Sequence, residues 1–239
     1  MMGDEQDSWA AAAAALRAGD SQKKPALKPA GLLTRLIFAL QRRRRKQDTL
    51  LPWSVSVVDL MEELEGKSVA LVGNARALAE TDQGAAIDAA DIVIRINRAP
   101  MPSARSHGSR TTWLALATSL PDAKLERISP ARILWMSPKR KRLSLKIARR
   151  ADFYLYPLTA FRALQTRLGG APTTGAMLID LLATTESAQI TLYGFDFFAS
   201  QSLSGSRRAD QVPHDFSSES AFVQDLIARD DRFHLIAMR

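Results

Sequence analysis

From about residue 52 onward, short apolar runs alternate with stretches in which apolar residues recur at helical spacing. The runs at 69–73, 91–97, 132–136, 152–156, 189–194 and 233–238 predict strands. Helical periodicity covers 57–65, 76–80, 160–168, 174–185 and 218–229, with Thr173 or Thr174 and Ser217 suited to N-cap the last two. Most of the strands are apolar on successive residues and are interleaved with helices, which predicts a mainly parallel sheet covered on both faces. The expected class is therefore α/β, a Rossmann-like sheet sandwiched by helices. No internal repeat interrupts this pattern.

The first fifty residues read differently. An alanine run, Ala10 to Ala15, is followed by a polar stretch broken by Pro25 and Pro29, and residues 1 to about 30 have little to bury. They are expected to form a mobile tail, with residues 51–239 as the working domain. Between them, residues 31–46 carry leucines and a phenylalanine at helical spacing that end in five consecutive cations, Arg42 to Lys46. Two readings stay open: a basic amphipathic helix lying on an anionic membrane surface, or a linker helix docked on the domain by its leucines. The acidic start, Met-Met-Gly-Asp-Glu, is unlike a secretory signal, and no apolar run approaches the roughly 20 residues of a spanning helix. A cytoplasmic location, peripheral on the inner membrane surface, is the expectation.

Composition narrows the chemistry. A chain of 239 residues, 46% hydrophobic and 24% charged, can bury one substantial core. Its formal net charge of +8 favours anionic partners. The absence of cysteine excludes disulfides and thiolate metal sites and suits a reducing compartment. Between Arg127 and Arg150 there is no acidic residue, and residues 139–150 are dense in cations. Nucleic-acid binding is one reading of that segment, yet no aromatic is interleaved for base stacking. An anionic glycolipid or membrane surface, met together with Arg42 to Lys46, is the preferred partner over nucleic acid.

Candidate chemistry gathers at element ends. The run from Val69 stops at Gly73-Asn74, on the carboxyl edge where open α/β sheets bind ligands. Only one glycine stands there, so no dinucleotide fingerprint is present, and no Walker-type phosphate loop occurs. Asn97 follows the next strand. Pro172-Thr-Thr-Gly175 opens an apolar helix, whose free N–H groups and dipole suit a phosphate or carboxylate. Of three histidines, His234 falls in a terminal strand, His107 on a loop, and His214 just before the last helix with Glu219 five residues on. An imidazole is suited to general base catalysis near neutrality, which makes His214 the candidate.

The order and spacing of these segments resemble the large, small and very small sialyl motifs of glycosyltransferase family 29, the sialyltransferases. The large-motif resemblance runs from Ser68 through Gly84, Asp88, Asp91, Arg95, Asn97 and Pro100 to Gly108-Ser-Arg-Thr-Thr112. The small motif is matched by Thr173 to Gly175 and by Leu192-Tyr-Gly194-Phe195, and the very small motif by His214 and Glu219. The resemblance implies a GT-A-like variant fold and transfer of sialic acid, or a related acidic sugar such as Kdo, from a CMP conjugate to a hydroxyl of a glycan or glycolipid. It implies donor binding by Gly73, Asn74, Asn97, Thr173, Thr174, Gly175, Gly194 and Phe195. His214 would be the base of an inverting reaction, with Glu219 holding its loop or orienting its ring. Arg207 or Arg208 stands in for the His or Tyr that family members often use to stabilise the departing phosphate. Neither a metal nor a cofactor is implied. Where animal members place the two cysteines that join the large and small motifs, this chain has Val69 and Ser187, so packing is expected to replace the bridge. Two other classes remain as rival readings: a nucleic-acid-binding protein, and a relative that binds nucleotide or glycan without turnover.

Overall fold

The apolar runs pair side by side in a single parallel sheet. The computed structural model describes residues 14, 16, 31–44, 48–196 and 216–237. Its strands are β1 (Ser68–Val72), β2 (Ile92–Ile96), β3 (Trp113–Leu116), β4 (Arg132–Trp135), β5 (Phe153–Leu155), β6 (Gln189–Tyr193) and β7 (Phe233–Leu235). The sheet order is β5-β4-β3-β2-β1-β6-β7, with every neighbouring pair parallel. The α/β sandwich expected from the sequence is the fold observed. β3 was not among the expected strands: its Trp-Leu-Ala-Leu run is only four residues long and holds no β-branched residue.

The described α-helices are α1 (Leu32–Gln41), α2 (Val57–Leu64), α3 (Gly84–Ala89), α4 (Ala104–His107), α5 (Asp122–Ile128), α6 (Leu145–Ala148), α7 (Leu158–Leu168), α8 (Thr174–Ala183) and α9 (Phe216–Arg229). Local chemistry sets several starts. Ser56 caps α2 in a reciprocal capping box with Asp59, and Thr173 caps α8 by accepting from Ala176 N at 3.1 Å. Ser217 does not cap α9 as expected, because the described helix already includes Phe216 and Ser217 falls in its first turn. Helices α3 to α6 have only four to seven residues, too short for a periodic signal, and arise from packing and from caps such as Ser103 and Ser144.

Alternating side chains of the sheet feed two apolar layers. Val69, Leu71, Ile94, Ile96, Trp113, Ala115 and Leu134 face α2, α7, α8 and α9. Leu16, from the segment expected to be a mobile tail, is buried in that same layer. On the opposite face Ala70, Val72 and Val93 meet Leu78 and Ile87, while Leu114, Trp135 and Phe153 meet Phe38, Leu125 and Ile147. Phe38 is the buried residue of α1. It packs edge-on to Trp53, with ring centroids 5.2 Å apart, while Trp53 Nε1 donates to Gln41 Oε1 at 2.8 Å. The helix thus docks through its phenylalanine, not through its leucines.

Chain order along the sheet reverses once. From β1 the chain steps outward through β2, β3, β4 and β5, then returns to place β6 on the other side of β1. Crevices for ligands form at the carboxyl ends of strands where such a reversal falls. No disulfide joins these strands. Register pairs from Ser68↔Gln189 to Val72↔Tyr193 hold them, and Ala188 N donates to Lys67 O at 2.9 Å. Val69 and Ser187 are both buried at this junction.

Candidate active site

The reversal brings two glycine turns into contact. Gly73 N donates to Tyr193 O at 2.7 Å, and Ala75 N to Gly194 O at 3.2 Å, so the ladder of β1 and β6 extends past both strand ends. A Cβ on Gly73 would lie 2.3 Å from Gly194 O and 3.2 Å from Phe195 Cδ2. One on Gly175 would lie 2.7 Å from Phe195 Cε1. The Phe195 ring therefore sits between the end of β1 and the first turn of α8, and it fits only because neither neighbour has a side chain. Gly194 also needs its left-handed backbone, φ +69°. Beside this contact, Asn74 Oδ1 is buried without a protein hydrogen-bond partner. A buried amide oxygen left open in this way is suited to a ligand donor such as a ribose hydroxyl.

The start of α8 is tied to the last helix. Thr173 N donates to Glu219 Oε1 at 2.6 Å, and Thr173 Oγ1 donates to Glu219 Oε2 at 2.7 Å while accepting from Ala176 N. Glu219 is buried, and each of its carboxylate oxygens holds the threonine. This contact is with the start of α8; the expected roles of Glu219 toward His214 involve a residue outside the described ones. Thr174 is buried as the first residue of α8.

Most other large-motif residues form a latch rather than a pocket wall. The Asp88 carboxylate accepts from Ser109 N at 2.8 Å, Arg110 N at 2.9 Å and Ser109 Oγ at 3.0 Å. Burial alone would raise its pKa, but these donors and the Arg95 charge outweigh that and bring it below the usual carboxylate value. A Cβ on Gly108 would meet Asp88 Oδ1 at 2.3 Å, and one on Gly84 would meet Ala104 O at 1.8 Å, so both glycines allow close packing of α3 and α4. Arg95 is buried in β2, donating from Nε to Arg110 O at 2.8 Å and from Nη2 to His107 O at 2.6 Å. Burial lowers its pKa to about 10, against the opposing pull of Asp88. His107, fully buried with Nδ1 2.9 Å from Ser106 Oγ, is pushed down to about 4 by burial and then by Arg95, so it stays neutral. An arginine in the middle of an apolar strand was the sequence signal for this latch.

Asn97 stands at the end of β2 in the left-handed region, φ +55°. Its N donates to Ala115 O at 2.7 Å, and its Oδ1 accepts from Ala117 N at 2.9 Å, binding the turn to the end of β3. The two asparagines expected in the donor site thus differ: the Asn97 oxygen is engaged by the fold and the Asn74 oxygen is open. His214, Arg207 and Arg208 lie outside the described residues. Among the described residues no group of three or more His, Asp or Glu side chains is placed to hold a metal ion, and no helix is long and apolar enough to cross a membrane.

The cationic segment is absorbed by the domain in part, while Lys139, Lys141 and Arg142 stay exposed. Arg140 is buried, with Nη2 2.7 Å from Asp48 Oδ1 and further bonds to Ser137 O at 2.7 Å and Tyr156 O at 2.6 Å. Arg150 pairs with Asp152 and Lys146 with Asp122, each at 2.8 Å.

Comparison with known proteins agrees with this fold. The model of glycosyltransferase family 29 (sialyltransferase) matches residues 39–141, which include β1 to β4 with Asn74 and Asn97. The crystal structure of a mammalian sialyltransferase superposes with a TM-score of 0.58 at 18% identity, covering 100% of this chain and 87% of the other. A mammalian sialyltransferase in complex with Gal-beta-1-3GalNAc-ortho-nitrophenol gives a TM-score of 0.53 at 18% identity, covering 90% and 89%. No curated protein sequence matches the chain. The seven-stranded parallel sheet, with its glycine turns and helix start gathered at one reversal, is thus shared in fold with sialyltransferase structures. Over residues 39–141 the chain is similar to glycosyltransferase family 29 (sialyltransferase), and its fold is that of the mammalian sialyltransferase structures.

Proposed function

We propose that the protein transfers sialic acid, or a related acidic sugar such as Kdo, from its CMP conjugate to a hydroxyl of a glycan or glycolipid. The observation that carries this reading is the pair of hydrogen bonds from Thr173 to Glu219, which ties the helix following His214 to the threonine turn beside the β1–β6 reversal. In this reading the nucleotide lies over Gly73 and Gly194, and a ribose hydroxyl donates to the open Asn74 oxygen. The N–H groups at the start of α8 meet the phosphate or the sugar carboxylate, favoured by the helix dipole. His214 takes the proton of the acceptor hydroxyl as its oxygen bonds to the anomeric carbon. The bond from that carbon to the phosphate oxygen breaks on the opposite side, CMP departs with the electron pair, and the configuration inverts. Arg207 or Arg208 supplies positive charge to the departing phosphate. The scheme calls for no metal and no cofactor. The disaccharide in the mammalian complex favours a galactoside-type acceptor.

The test is incubation of the full-length protein with CMP-sialic acid and with CMP-Kdo separately, with and without glycan acceptors, followed by detection of CMP. Release from one donor identifies the sugar. His214→Ala is expected to lower transfer by about 10²–10⁴-fold while leaving CMP affinity nearly unchanged. Undiminished transfer would remove the base assignment, and CMP binding without release from either donor would support the non-catalytic alternative.

A further inference from the structure

Helix α1 presents an apolar face that no described residue covers. Leu32 is 85% exposed, Leu33 69%, Leu36 55%, Ile37 43% and Leu40 54%. These are five of the seven large hydrophobic side chains that stand exposed among the described residues, and all five fall within ten residues. At about 100° per residue they form one stripe along the helix, with Phe38 on the opposite side. The phenylalanine anchors the helix to the domain, so the stripe is held outward.

Cations frame the stripe. Arg35, Arg43 and Arg44 are exposed, and Arg45 and Lys46 follow in the sequence. Arg42 Nη1 donates to Leu143 O at 3.2 Å, which joins the end of α1 to the turn at 140–142, where Lys141 and Arg142 are exposed. Neither α1 nor residues 139–150 contain an acidic residue. The nearby carboxylates are already committed, Asp48 to Arg140 and Asp122 to Lys146.

We infer that α1 and the turn at 140–142 form a docking surface for an anionic lipid bilayer, with the leucine stripe entering the headgroup boundary and the cations meeting lipid phosphates. A ten-residue helix is about 15 Å long, too short to span a membrane but suited to lie in its interface. Charge selects lipid over a second copy of the chain. A two-fold pairing through this stripe would set Arg35, Arg43 and Arg44 against the same residues of its partner, whereas an anionic surface neutralises them.

The placement in the fold adds a consequence. Arg140 anchors the turn to the carbonyls of Ser137 and Tyr156, just beyond the ends of β4 and β5, so the docking surface adjoins the carboxyl edge of the sheet that also carries Gly73 and Gly194. The inference stands apart from the transfer chemistry, and its test needs no sugar donor.

The experiment is flotation of the full-length protein with phosphatidylcholine vesicles and with vesicles containing phosphatidylglycerol as well, at low and high salt. Binding is expected to be at least about tenfold tighter on the anionic vesicles and to weaken in high salt. The paired variant Leu36→Glu with Ile37→Glu, and separately Arg43→Ser with Arg44→Ser, should each weaken it by about tenfold or more while the melting temperature holds. Absence of binding to anionic vesicles overturns the inference, as does binding that neither paired variant reduces. Sedimentation velocity without lipid supplies the remaining arm: self-association that Leu36→Glu abolishes, together with no vesicle binding, would assign the stripe to a protein dimer.

Discussion

Glu219 grips Thr173 at two atoms, its Oε1 on the threonine N–H at 2.6 Å and its Oε2 on the hydroxyl at 2.7 Å, across 46 residues of chain. Removing that carboxylate leaves a backbone donor and a hydroxyl to find new partners in a half-buried turn. Glu219→Ala should cost about 2–4 kcal/mol of stability, because charge-assisted hydrogen bonds are among the stronger ones. It should also weaken CMP binding by loosening the start of α8. Glu219→Gln keeps an acceptor for the N–H and offers its amide group to the hydroxyl, so it should recover at least half of the loss. Urea unfolding and CMP titration read both quantities, and a Glu219→Ala protein as stable as the parent would show that the grip contributes little.

The contact between Gly175 and Phe195 makes a different prediction. Gly175→Ala puts a methyl group 2.7 Å from the ring, which should cost about 1–3 kcal/mol. Phe195→Ala removes the obstacle, so the double variant should be more stable than the sum of the single effects allows, with a coupling of about 1 kcal/mol or more. Gly73→Ala meets a backbone carbonyl at 2.3 Å, which no side-chain truncation clears. Its cost should exceed that of Gly175→Ala and persist in the Phe195→Ala background. Thermal denaturation of the five proteins decides the matter.

Asp48 and Arg140 make a buried pair whose separation should be severe. The Asp48 carboxylate takes Arg140 Nη2 at 2.7 Å and also accepts from Leu158 N. Burial lowers the Arg140 pKa, with Asp48 opposing that shift. Asp48→Ala leaves the guanidinium uncompensated and is expected to cost about 3–5 kcal/mol, while Asp48→Leu combined with Arg140→Met should cost less than Asp48→Ala alone. Chemical denaturation of these two variants beside the parent tests this order.

His107 gives a pH dependence with a definite sign. Its value of about 4 in the folded protein lies below the ordinary 6.5, so between these values the unfolded chain binds a proton that the native ring refuses. Its contribution to stability is complete above about pH 6.5 and is lost as the pH falls through 4. The loss amounts to about 3 kcal/mol at most. His107→Asn retains a polar partner for Ser106 and should unfold with a shallower dependence over that interval. Unfolding free energies at pH 7, 6 and 5 for both proteins provide the comparison, and parallel curves would contradict the assignment.

The local character of the elements was legible in the chain. Continuous apolar runs marked β1, β2 and β6, helical spacing marked α2, α7 and α8, and Thr173 marked a cap, because each depends on neighbours a few residues away. Gly73, Asn74, Gly175 and Phe195 could be singled out by residue type and spacing for the same reason. β3 and the helices α3 to α6 were not legible: each is four to seven residues long and is stabilised by contacts from remote segments.

By itself, the sequence determined an α/β chain with a positive balance, without disulfides, and with amides, threonines and a glycine-rich set of turns in a recognisable order. Only the tertiary structure decided that β6 pairs with β1, that Phe195 is wedged between Gly73 and Gly175, and that Glu219 is bonded to Thr173. It also decided that α1 turns Phe38 inward and its leucines outward, although both are apolar. The physical reason is the same in each case. Propensity and periodicity act over one or two turns of chain, whereas strand order, ring packing and the partner of a buried carboxylate are set by the fit of surfaces that meet only after distant segments have assembled.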